Sequence, residues 1–225
     1  RVELMLDAGS KSTAPAPEQV SAPHQVRGDK EANVLNVIWV GQIVERKALD
    51  ILIEAIQGSE ELVKNTKVTV VGGGPLTKPF KRRISQLAEF KQCNWTFTGQ
   101  LEHHEVANLM QQADVLVHTS YREASSNVIP EALSVGLPVI CHDVSGMSIA
   151  IDETCGIKVP LESLKVSVEG FRAALEKVSE SRIKCGMTSS SMSIHLSKGA
   201  FARAQSLSWD NMAKQIAENY IELVS

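Results

Sequence analysis

Short apolar runs alternate with helix-period segments along most of the chain, and most runs close on a glycine or a polar turn. Residues 34–40 form an apolar, β-branched stretch that stops at Gly41 and reads as a buried strand. Residues 47–57 follow, with Leu49, Leu52, Ile53 and Ile56 at helical spacing and Gly58 as the stop. The same alternation predicts strands over 67–71, 95–98, 115–118, 138–141 and 157–159, and helices over 79–90, 102–112 and 127–135. From 164 to 224 the pattern is mainly helical, with Ser208 or Asp210 placed to cap the last helix. Strands this apolar have no wet face, so helices must cover both sides of one parallel sheet. The predicted fold class is α/β, a Rossmann-like parallel sheet. Right-handed crossovers bring every strand-to-helix loop to one edge, where ligands bind near the reversal of strand order.

Residues 1–32 break the pattern. After a short apolar piece they are rich in Ser, Ala, Pro and Gln, through Pro15, Pro17 and Pro23, and read as a linker. The compact domain is expected over 33–225. A start at Arg1 with no initiator Met predicts a piece of something longer.

Charge and composition narrow the function. A net charge of −3 makes the chain as a whole a poor counterion for nucleic acid. Its one dense basic run, Lys78, Lys81, Arg82 and Arg83, reads as a solvated helix face. No stretch reaches the roughly 18 apolar residues of a membrane span, and no charged-then-apolar leader opens the chain. Cys93, Cys141, Cys155 and Cys185 show neither CxxC spacing nor zinc-finger partners, so reduced thiols in a cytoplasmic setting are expected.

Three strand-to-helix loops carry candidate chemistry. Gly72-Gly73-Gly74-Pro75 could let backbone approach a phosphate or a sugar, or could be a tight turn. The dinucleotide fingerprint is incomplete there, with Thr77 in the third glycine's place and Phe90 and Lys91 where an acidic residue would stand. Gly41-Gln42 leads to Lys47, a cation at the positive end of a predicted helix, which an anion or simple exposure would explain. Ser125, Ser126, Asn127 and Val128 open another helix and offer N–H groups to an anion, between Glu123 and Glu131. A glycosidase's two carboxylates lie about 5–9.5 Å apart. Eight positions across a loop and a helical turn put Glu123 and Glu131 at or beyond that limit, suiting two parts of one long ligand. No Asp-x-Asp clamp and no GxSxG elbow occur, and adjacent His103 and His104 share no helix face for a metal.

In this order the segments resemble the C-terminal, donor-binding half of the retaining GT-B glycosyltransferases of family four, the group 1 family. The landmarks are Val40-Gly41 with Lys47, Val71-Gly72-Gly73-Gly74-Pro75 and Phe97-Thr98-Gly99. After them come Glu123, seven residues clear of Glu131-Ala132, then Gly136-Leu137-Pro138-Val139-Ile140 and Ser208-Trp209. The resemblance implies that Glu131 holds the ribose hydroxyls, Glu123 faces the donor sugar and Lys47 meets the diphosphate. It implies that Asn127 and Val128 cap that diphosphate beside Ser126, that Gln100 and Leu101 meet the base, and that Gly41, Gln42, Gly72 and Gly74 line the cleft. The donor would be a UDP- or GDP-type sugar, with no other cofactor and no metal. The acceptor, a glycan or lipid, would be held by an absent N-terminal half, which could also bring the protein to the inner membrane. Gln42 stands where the family usually has arginine, Ala48 where it has glycine, and Ser125-Ser126 where Phe-Gly is common. Two alternatives are a non-catalytic nucleotide-sugar-binding or assembly module and half of a GT-B sugar-nucleotide epimerase.

Overall fold

The computed structural model describes residues 34–87, 94–124, 126–185 and 192–224. The predicted linker, Phe90, Lys91, Cys93 and Ser125 lie outside the described residues. Six strands form one parallel sheet: β1 Leu35–Val40, β2 Thr66–Val71, β3 Asn94–Gly99, β4 Val115–His118, β5 Val139–His142 and β6 Gly156–Val159. Their spatial order is β3-β2-β1-β4-β5-β6, so the chain builds outward from β1 in one direction and then in the other. The switch point lies between β1 and β4.

Two cores follow from the two-residue period of the strands. Leu35, Val37 and Trp39 point to one face, packed with α1 (Leu49–Gln57), α2 (Glu60–Asn65) and α7 (Leu164–Cys185). Ile38 points to the other, with α4 (His103–Gln112), α5 (Val128–Ser134) and α6 (Ser145–Ala150). Ala200 of α8 (Met192–Ser206) closes that second core. α3 (Thr77–Gln86) lies over the first with no fully buried residue, which accounts for its basic run. There Arg83 pairs with Glu54 at 3.1 Å and Lys81 sits over the Phe97 ring. Cys141 and Cys155 are buried free thiols.

The helical boundaries differ from those expected in ways that matter. The segment read as a helix over 47–57 begins with a separate 3₁₀ turn, Glu45–Lys47, and Ala48 then takes a left-handed conformation (φ 46°) before α1 starts at Leu49. Lys47 is therefore not on α1, and the dipole argument for it falls away. The expected helix over 79–90 begins earlier, at Thr77, and is described to Gln86. Among the described residues the C-terminal helical stretch comprises α7, α8 and α9 (Trp209–Val224). Ser208 caps α9, its Oγ accepting from the Asn211 N–H at 3.4 Å.

Candidate functional site

The loops after β1 and β4 diverge at the switch point, yet they are stitched together. Trp39 Nε1 donates to Thr119 Oγ at 3.0 Å, and that hydroxyl donates to the Lys47 carbonyl at 2.7 Å. Ser120 Oγ and the Tyr121 N–H both reach the Arg46 carbonyl, each at 3.2 Å. This stitching delivers Lys47 to Glu123. The ammonium donates to both carboxylate oxygens, at 2.8 Å to Oε1 and 2.6 Å to Oε2. The Lys47 side chain is 8% exposed and that of Glu123 16%, so this is a nearly dry ion pair. Exposure, one of the two readings open for Lys47, is thereby ruled out.

A third group completes the cluster, and sequence reasoning passed over it. His118 ends β4 with its Nε2 3.2 Å from Glu123 Oε2, close but not aligned as a hydrogen bond. Burial, and after it the charge of Lys47, hold this imidazole down at about 4 against the opposing pull of Glu123, so it is neutral near pH 7. Burial alone would raise the Glu123 carboxyl. The hydrogen bond and charge of Lys47, with help from His118 and Ser120, outweigh it and hold the group below its ordinary value. The available signal was a polar residue closing the apolar run Val115-Leu116-Val117. Behind the cluster, His142 bridges the Ser120 carbonyl (3.2 Å) and Ser167 Oγ (3.0 Å), edge-on to Phe171.

Beside this pair an open cleft of about 490 Å³ runs along the sheet edge. Its walls bring together Gly41, Gln42, Gly72, Gln100 and Leu101, all expected there. They also include Glu102 and Glu105 of the α4 entrance, which cap that helix reciprocally. Gly72 has φ 118°, and a Cβ there would sit 2.0 Å from the Gly41 carbonyl oxygen. A Cβ on Gly74 would meet the Ile43 carbonyl oxygen at 2.4 Å, and Gly74 is not among the lining residues. These two glycines thus let backbone lie on backbone, while Gly73 faces open space. Lys47 is not among the lining residues, but its stem lies next to one of them, with Cε 3.7 Å from a Cβ placed on Gly41.

Glu131 stands apart from Glu123. It lies in the first turn of α5 and faces α4, with Oε1 3.8 Å from His103 Nε2. The two glutamates therefore occupy different surroundings, and neither is among the residues lining the cleft. At the start of α5 the backbone bonds begin with the Ile129 N–H to the Ser126 carbonyl. Ser126 is buried, Asn127 exposed and Val128 intermediate. Among the described residues no cluster of three His, Cys, Asp or Glu side chains is arranged to hold a metal ion.

Residues 25–189 match the family model for the glycosyl transferases group 1. The chain belongs to this family. A putative teichuronic acid biosynthesis glycosyltransferase of Bacillus subtilis strain 168, TuaC, is 36% identical over 111 residues, covering 49% of this chain and 25% of TuaC. The lipopolysaccharide glucosyltransferase WaaG of Escherichia coli K12 is 32% identical over 133 residues, covering 59% of this chain and 34% of WaaG. Among solved structures, HepE of Anabaena in complex with UDP superposes with a TM-score of 0.66 at 20% identity, over 84% of this chain and 49% of HepE. That likeness matches the six-stranded parallel sheet to a GT-B fold. The matched part of this chain spans 25% and 34% of the length of these two curated relatives. Among the described residues no helix is long and apolar enough to cross a membrane.

Proposed function

We propose that this domain binds the donor in a retaining glycosyltransferase that moves a hexose from a UDP- or GDP-type sugar to a glycan or lipid acceptor. The observation that carries the reading is the buried Lys47–Glu123 pair at the switch point, beside a cleft walled by the β1, β2 and β3 loops. A departing diphosphate needs positive charge aimed at its oxygens in a water-poor site. Lys47 supplies it, together with the N–H groups of Asn127 and Val128 at the start of α5. Glu123 then faces the sugar, Glu131 the ribose hydroxyls, and Gln100 with Leu101 the base. The Gln42 side chain offers an amide where a second cation would strengthen phosphate binding, so Lys47 bears most of the charge compensation. An N-terminal half would carry the acceptor, and glycoconjugate or polysaccharide synthesis is the setting that the teichuronic acid and lipopolysaccharide relatives support.

Calorimetric titration with UDP and GDP tests the reading. One of them should bind, and Lys47→Ala should weaken that binding by about 10- to 150-fold, the range of about 1.5–3 kcal/mol for a charged hydrogen bond. Equal affinities in wild type and variant would remove the diphosphate from Lys47.

A further inference from the structure

The Lys47–Glu123 pair poses a problem for any anion that binds Lys47. The ammonium is already turned onto both oxygens of one carboxylate. Turning the ammonium toward a phosphate would leave a poorly hydrated carboxylate short of a partner, which is strongly unfavourable. The relief lies on the far side of the same oxygen. Glu123 Oε2 is shared, 2.6 Å from Lys47 Nζ and 3.2 Å from His118 Nε2. His118 Nε2 is buried and has no aligned hydrogen-bond partner. A bare imidazole lone pair turned toward a carboxylate at that distance would be repelled, so the neutral ring carries its proton on Nε2. His118 is therefore a donor already aimed at Glu123, lacking only alignment.

We infer that His118 is the positioning residue that takes over Glu123 Oε2 when the donor's diphosphate takes Lys47. A small rotation of the carboxylate closes the Nε2–H···Oε2 bond. Lys47 keeps Oε1 and turns an N–H from Oε2 to the phosphate, to which it donates a hydrogen bond, and Glu123 stays fixed facing the sugar. No charge moves and no proton changes owner; one hydrogen bond is exchanged for another. The handover rests on the donor-site reading proposed above.

A double-mutant cycle read by nucleotide affinity tests it, with UDP, GDP, ADP and TDP as probes and thermal unfolding to confirm folding. His118→Leu should weaken the bound nucleotide about tenfold, equivalent to about 1.4 kcal/mol. In a Glu123→Gln background, where no charge needs a second partner, the same change should cost less than about twofold. His118→Gln, whose amide can reach the position of Nε2–H, should recover most of the loss. An equal loss in both backgrounds, or none in either, would overturn the handover while leaving the donor site standing. If wild type bound none of the four nucleotides, the donor-site reading would fail and the handover with it. Should the leucine variant not fold, histidine ¹⁵N spectra of the wild type decide. The His118 Nε2–H proton should move downfield when nucleotide is added, and an unmoved signal would sink the inference.

Discussion

At the scale of single residues, the site is a set of groups that are stable only together. His118 is neutral in the fold but protonates near 6.5 once unfolded, while its folded value lies at about 4. A depressed folded value contributes stability in full above the unfolded one and loses it as pH falls toward the folded one. Unfolding free energy should thus drop by about 2 kcal/mol between pH 7 and pH 5, and by about 3 kcal/mol at pH 4, from this group. Glu123, also depressed, adds a loss of the same sign at lower pH. Urea unfolding at pH 7, 5 and 4 measures the slope, and His118→Gln should flatten it. The sequence showed Lys47 as a cation at the start of a predicted helix and Glu123 through its spacing from Glu131. It could not show them joined, because their contact crosses 76 positions and depends on the Thr119 and Ser120 hydroxyls binding the carbonyls of Lys47 and Arg46. Nor could it show His118 as polar machinery, since a lone histidine at a strand end is as often core.

At the scale of elements, the long periodic segments were legible and the short ones were not. α2 buries only Leu62 and Val63, and α6 only Met147, too few apolar positions to establish a helical period. Termini were legible where their chemistry is specific. Gly58 ends α1 and Ser208 caps α9 as the residue types predict. Gly136 ends α5 with φ 71°, its N–H reaching the Leu133 carbonyl while the Leu137 N–H reaches that of Ala132. A Cβ there would also strike the Phe201 ring at 2.2 Å, so the turn and the seat of α8 share one residue. Gly136→Ala should destabilise the domain by about 2–4 kcal/mol, combining left-handed strain with overpacking. Chemical denaturation measures this; a loss of about 1–2 kcal/mol would show that Phe201 moves aside and only the left-handed strain remains. Ala48 tolerates its left-handed φ of 46° without glycine's freedom, a cost the turn before α1 carries in every folded molecule.

At the scale of the whole molecule, apolar strands and right-handed crossovers were enough to predict one parallel sheet with its loops at one edge. Strand order was not legible, because periodicity says which residues are buried and not which strand lies beside which. The order β3-β2-β1-β4-β5-β6 places the β1 and β4 loops side by side, which is what lets Lys47 from one meet Glu123 from the other. A nucleoside diphosphate at about 100 times its dissociation constant would contribute about 2.7 kcal/mol. For a domain of this size the unfolding midpoint should rise by about 5–11 °C, read by differential scanning with NAD as the control. A shift with NAD alone would point to a dinucleotide site instead.

The same stitching gives the molecule an optical property. The Trp39 indole shares the Gly41 surface with the Lys47 stem, and its N–H is bound to the hydroxyl that holds the Lys47 carbonyl. An ammonium that turns toward a phosphate changes the field across that ring, and the emission of a tryptophan follows such fields. Intrinsic fluorescence should therefore respond as nucleotide is added. In Trp39→Phe, which keeps Trp95 and Trp209, the response should disappear. The protein carries its own dye at the point where occupancy can be read without a label.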